Sequence, residues 1–136
     1  MKAFSFGLEK VLNLRKFYED EAKIELGRAI GVLADLENRI LVLGRERARA
    51  SAAQFTPGND TAIMRQYMFY LQRLDSLKEQ LLKEAALAEL EVEKAREAFL
   101  EASRERKVLD KLKDKRQREY RKVTLSGETK TLDDIR

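Results

Sequence analysis

The sequence contains no cysteine, no histidine, no tryptophan and a single proline. Each absence excludes something. Without cysteine there is no disulfide framework and no thiol chemistry, which fits a cytosolic protein. Without histidine the commonest general base and the commonest transition-metal ligand are both missing. Long apolar runs are absent too, and no window approaches the ~20 uncharged residues that a membrane span needs. Glu9, Lys10, Arg15 and Lys16 interrupt the region where a secretory signal would carry its apolar core, so none is expected. There is no Gly-rich phosphate loop, no HExxH, no CxxC and no GxSxG. Acid pairs such as Glu89/Glu93 and Glu91/Glu93 have the spacing of a solvated helix face, where they pair with Lys and Arg. No catalytic residue, cofactor or metal site is expected, and the function must lie in surfaces.

What is present points to long helices. Of the 136 residues, 38% are charged, and the bias towards Ala, Leu, Glu, Lys and Arg is that of coiled coils. The only Pro-Gly cluster, FTPGND at residues 55–60, divides the chain nearly in half. Asn59 or Asp60 is a candidate N-cap for the helix that follows. That second helix carries a row beginning Met64, Tyr67, Leu71 and Leu74 and reaching Tyr120 and Val123 in steps of three and four, the coiled-coil repeat. From Arg106 onwards some seam positions are basic. The first helix gives Phe4, Leu8, Val11, Arg15, Tyr18, Ala22 and Leu26, with one extra step of four near Tyr18 that reads as an eleven-residue insertion. Gly27 and Gly31 nearby allow either a close helix approach or two tolerated glycines.

The expected fold is all-α, a long antiparallel two-helix coiled-coil hairpin over residues 1–124. Helix one would span about 5–54, the turn 55–60 and helix two about 61–123, with 125–136 a frayed or disordered tail. Helices of that size are roughly 75–95 Å long at 1.5 Å per residue. Folding back at the turn sets Leu43 near Gln72 and Leu8 near Lys107, which leaves Lys111 to Lys122 partly unpaired.

Charge is unevenly placed. The net charge is +4, but residues 103–123 alone hold 10 Lys/Arg against 4 Asp/Glu. This run is a solvated face, a surface for a protein partner with an acidic rim, or a nucleic-acid contact; its interleaved Leu109, Leu112, Tyr120 and Val123 favour the protein partner over nucleic acid. A second surface is the aromatic N-terminus: on a helix Phe4 and Tyr18 fit the seam, whereas Phe6 and Phe17 lie off it. It is either an apolar end-cap or a part that inserts into a partner. A third is QYMFYLQRLDSLK, residues 66–78. Tyr67, Leu71 and Leu74 belong to the seam there. Tyr70, Leu74, Leu77 and Leu81 form a second stripe, which either thickens the hairpin with Phe55 folded over it or seats in a partner's groove.

Three segments together carry a resemblance. They are F-x-F-x-L-x-K-V-L-x-L-R-K at residues 4–16, Y-x-x-Y-L-x-x-L-D at 67–75, and ERKVLDKLKDKRQREY at 105–120. In order and spacing around one central turn they resemble the flagellar export protein FliJ family, over residues 4–123. The resemblance implies a non-enzymatic coiled-coil stalk of the bacterial flagellar type III export apparatus, similar to the γ subunit of rotary ATPases. Such a stalk inserts its open end into a hexameric export ATPase (FliI-like), promotes its assembly, contacts the export gate protein (FlhA-like) and can escort substrate chaperones. It would be cytoplasmic and peripherally associated with the inner-membrane apparatus. By position, Tyr70, Leu74, Leu77 and Leu81 match the gate-binding segment. Phe4, Phe6, Leu8, Lys10, Val11, Leu14 and Arg15, with Lys113, Arg116, Arg118, Tyr120 and Arg121, match the ring-binding end. The rival readings are a stalk or stator of another rotary ATPase and a nucleic-acid-binding coiled coil.

Overall fold

The computed structural model describes residues 3–135, with side chains through residue 128. It consists of two helices, α1 (Glu9–Gln54) and α2 (Thr61–Ile135), with no strand among the described residues. The expected all-α fold is therefore what the chain adopts. The contacts fall into two compact units, one of Met1–Ile24 with Glu97–Arg136 and the other of Glu25–Arg96. In each, a segment of α1 lies antiparallel to a segment of α2.

The turn unit, Glu25–Arg96, contains the connection. Gly58 has φ of 95°, a conformation that suits glycine and strains any residue with a Cβ. The two neighbouring polar residues divide the capping. The Asn59 amide donates to the carbonyls of Ala53 and Gln54 at 3.0 and 3.3 Å, closing the end of α1. Asp60 accepts from the Ile63 backbone N–H at 2.9 Å and caps α2. Phe55 is 70% exposed and does not fold over the helices.

The core of this unit sets Leu33, Leu36 and Ile40 of α1 against Leu81, Ala85 and Ala88 of α2. Large residues on one helix meet alanines on the other, so the backbones approach without glycine. A Cβ on Gly27 or Gly31 would meet nothing within 4 Å, so the close-approach reading of those glycines does not hold. Gly27→Ala and Gly31→Ala should each stabilise the protein by about 0.5–1 kcal/mol through helix propensity. Denaturant titration of each variant checks this, and a loss of stability at either site would show a contact.

The open-end unit differs from the sequence expectation in four respects. First, α1 starts at Glu9, and residues 3–8 are not helical. Phe4 and Phe6 then obey the two-residue period of extended chain, which puts both on one side. Phe6, off the seam on a helical projection, is only 6% exposed. Second, the buried row of α1 runs Leu8, Leu12, Arg15, Glu19, Ala22 and Leu26, alternating four and three without interruption. Leu12 is 0% exposed, whereas Val11 and Tyr18 are exposed at 39% and 48%. There is no eleven-residue insertion, because a charged residue, Glu19, takes the seam position given to Tyr18.

Third, the register lies several residues further along α2. Glu9 meets Lys113 and Arg15 meets Glu105, so Leu8 sits well past Lys107. This register brings Glu9, Phe6 and Phe4 against Lys113, Arg116 and Tyr120 on one side of the basic end of α2, while Lys111, Lys115, Arg118, Arg121 and Lys122 stay exposed. Fourth, α2 runs on to Ile135, through the stretch expected to fray. No proline follows Pro57, and the single glycine, Gly127, costs a helix only about 1 kcal/mol.

Candidate functional surfaces

In the open-end unit the basic stretch is sorted into inward and outward sides. Lys113 Nζ lies 2.9 and 3.0 Å from the two Glu9 carboxylate oxygens. Arg15 donates to Glu105 at 2.7 Å. Arg106 is the most embedded cation: its guanidinium reaches both Glu19 oxygens at 3.1–3.2 Å and Asp110 at 2.6 Å. Arg106 and Glu19 are 24% and 18% exposed. Hydrogen bonds from Arg106, then from the buried Ser103, hold the Glu19 carboxyl below its ordinary value. Beyond these pairs the aromatics close the end. The Phe4 ring lies 5.6 Å from that of Tyr120, and the Arg116 guanidinium sits 5.8 Å above Phe6.

The twelve residues matched to a ring-binding end thus divide. Phe4, Phe6, Leu8, Arg15, Lys113, Arg116 and Tyr120 hold the N-terminal segment on α2. Lys10, Val11, Leu14, Arg118 and Arg121 point outwards and are exposed. Leu14 is 47% exposed, and Phe17, at 56%, packs edgewise on Tyr18. Leu12 and Glu19 escaped the sequence reading. An uninterrupted step of four and three from Leu8 would have found both, had charge been admitted to the seam.

In the turn unit the second stripe also divides. Leu74 is 5% exposed and Leu81 packs on the Leu36–Ala85–Ala88 cluster. They belong to the core, because a stripe at steps of four and three overlaps the seam it borders. Leu77 is 44% exposed. The Tyr70 ring is half-buried and its hydroxyl donates to Glu46 at 2.7 Å. Arg49 and then Tyr70 hold the Glu46 carboxyl at about 2, and the same hydrogen bond pushes the Tyr70 hydroxyl up. Ile63, Tyr70 and Leu77, seven apart, share one flank of α2. Ile63 carries no signal in the sequence beyond that spacing. Met68 and Phe69 are exposed on other sides of the helix. On the opposite flank Arg47 grips Asp75 at 2.6 and 3.3 Å.

Among the described residues no group of three His, Cys, Asp or Glu side chains could hold a metal, and no helix is long and apolar enough to cross a membrane. Glu91 pairs with Lys94 and Glu93 with Arg96, each within its own helix face.

Comparison with known families decides the identity. The sequence profile described as "Flagellar FliJ protein" matches residues 4–136. The chain belongs to the FliJ family. The match includes residues 124–136, which the motif resemblance left out. Searches of curated proteins and of solved structures each returned no match. FliJ is a non-catalytic component associated with flagellar export. Membership fits a chain built of two paired helices.

Proposed function

We propose that this FliJ-family chain is a cytoplasmic stalk of the flagellar type III export apparatus. Its open-end unit enters the ring of the hexameric FliI-like export ATPase and promotes assembly and turnover. The flank of the turn unit carrying Tyr70 and Leu77 docks on the cytoplasmic part of the FlhA-like export gate, at the inner membrane. Export chaperones are further candidate partners. The observation that carries this reading is the division at the open end. Residues 4–9 are clamped onto α2 by ring contacts and the Glu9–Lys113 ion pair, and Lys10, Val11, Leu14, Arg118 and Arg121 remain exposed around that clamp.

The purified protein should hydrolyse no ATP and should raise the turnover of the cognate ATPase. Unchanged turnover and unchanged ring assembly at saturating protein would remove the stalk role. For the gate, Tyr70→Ala with Leu77→Ala should weaken binding roughly tenfold or more while helicity persists, as for an aromatic anchor at an interface. Tyr70→Phe isolates the bond to Glu46 and should bind nearly as well as the parent. If the double variant instead melts the helices, the flank is structural and the gate contact lies elsewhere.

A further inference from the structure

The inward turn of Arg106 and Lys113 leaves a pattern on the far side of α2 that the sequence run does not reveal. Arg104, Lys107, Lys111, Lys115, Arg118 and Lys122 are all exposed and follow one another in steps of three and four. Such steps keep them on one face, which extends about 27 Å at 1.5 Å per residue. Two of the four acids in this stretch, Glu105 and Asp110, are drawn to Arg15 and Arg106. Asp114 and Glu119 border the row on its two sides, each three and four residues from row cations. Arg104 is paired with Glu101 at 3.4 Å. Two aliphatic side chains share the face: Leu100 is 45% exposed and Val108 is 65% exposed.

We propose that this row is a docking surface for an anionic lipid bilayer. A straight, one-sided line of cations is complementary to a flat sheet of negative headgroups, which meets a single face of the helix. Lysine and arginine stems lie along the interface with their charges at headgroup depth. Leu100 and Val108 give the same face apolar area that acyl chains can cover and phosphates cannot use. A nucleic acid fits less well. The row carries no aromatic side chain on which bases could stack, and a groove wrapping the helix would bring phosphates against Glu105 and Glu119. The row shares Arg118 with the proposed ring-facing set and otherwise consists of residues outside it; vesicle binding is measured on the chain alone, so lipid docking and ring insertion fail separately.

The test is co-sedimentation of the full chain with vesicles of equal parts phosphatidylglycerol and phosphatidylcholine, against phosphatidylcholine alone. Binding should require the anionic lipid and fall steeply with salt. Neutralising three row positions (Lys111→Gln, Lys115→Gln, Arg118→Gln) should lower partitioning roughly a hundredfold, each near-surface cation contributing about fivefold. Helicity should be retained. Lys78→Gln, Lys83→Gln and Lys94→Gln make the same change in net charge off the row, and should leave partitioning within a few-fold. Equal binding to neutral vesicles would overturn the proposal, as would an equal loss in the off-row variant. So would mixed-sequence duplex DNA that displaces the protein from anionic vesicles at matched phosphate, because the row would then be a nucleic-acid surface.

Discussion

Replacing Arg106 with leucine should measurably destabilise the protein, and replacing Glu19 with leucine as well should recover that loss. Arg106 and Glu19 face each other across the seam, both more than three-quarters covered. Removing one partner leaves the other partly buried without its counter-charge, which is the expensive case. Full burial would cost about 3–5 kcal/mol, and residual solvent reduces the figure here. Two leucines of the right volume in the seam replace an ion pair with apolar contact, commonly a neutral or stabilising exchange. A double-mutant cycle by urea denaturation reads the coupling directly. If the single variant is neutral, the pair is a surface interaction and Glu19 is not a seam residue. If the double variant is worse than the single one, packing rather than charge holds this layer.

The same pair gives a pH dependence with a defined sign. Glu19 has a folded value below its ordinary 4.5, so its contribution is fully present above that pH and is lost as acid protonates it in the fold. Glu46 behaves likewise, and its contribution disappears between about 4.5 and about 2. That site is more solvated and adds less. Stability measured by denaturant should therefore fall from pH 7 to pH 3.5, and Glu19→Gln should flatten part of that fall.

The second large effect belongs to Leu12. Leu12→Ala should cost about 2–4 kcal/mol, since it deletes a fully buried side chain in a narrow two-helix seam. Val11→Ala, one residue away and 39% exposed, should cost under about 1 kcal/mol. The contrast is the test, because the sequence pattern alone puts Val11 in the seam and passes over Leu12. Amide exchange should quicken in residues 9–20 of the Leu12 variant. On the stalk reading, that variant should also lose stimulation of the ATPase at temperatures where the rest of the chain stays helical. Equal costs at the two positions would mean that this end of the seam is not packed as described.

Several features are legible in the amino-acid pattern alone. Steps of three and four across α2 place its seam almost throughout, and FTPGND locates the turn to the residue range observed. The motifs at residues 4–16, 67–75 and 105–120 reach the family that the profile match establishes. The start of α1 is not legible, because Phe4 and Phe6 satisfy a helical row and an extended one about equally well. Nor is the partition of the stripe. Leu74 and Leu77 look alike in the sequence, and only the packing of α1 makes one a core residue and the other an exposed one.

By itself, then, the sequence determined what depends on composition and on spacing along one chain: two helices, one turn, a seam, and a chain without cysteine or histidine. The tertiary structure decided what depends on the residue opposite. Glu19 can occupy a seam position because Arg106, 87 residues away in the chain, lies across from it. Lys113 turns inwards because Glu9 is there to receive it, and Arg116, though exposed, lies over the Phe6 ring. What remains outside, the row from Arg104 to Lys122, is set by those inward partners. Periodicity fixes which side of a helix a residue lies on, but the chemistry of that side is fixed only when the second helix arrives.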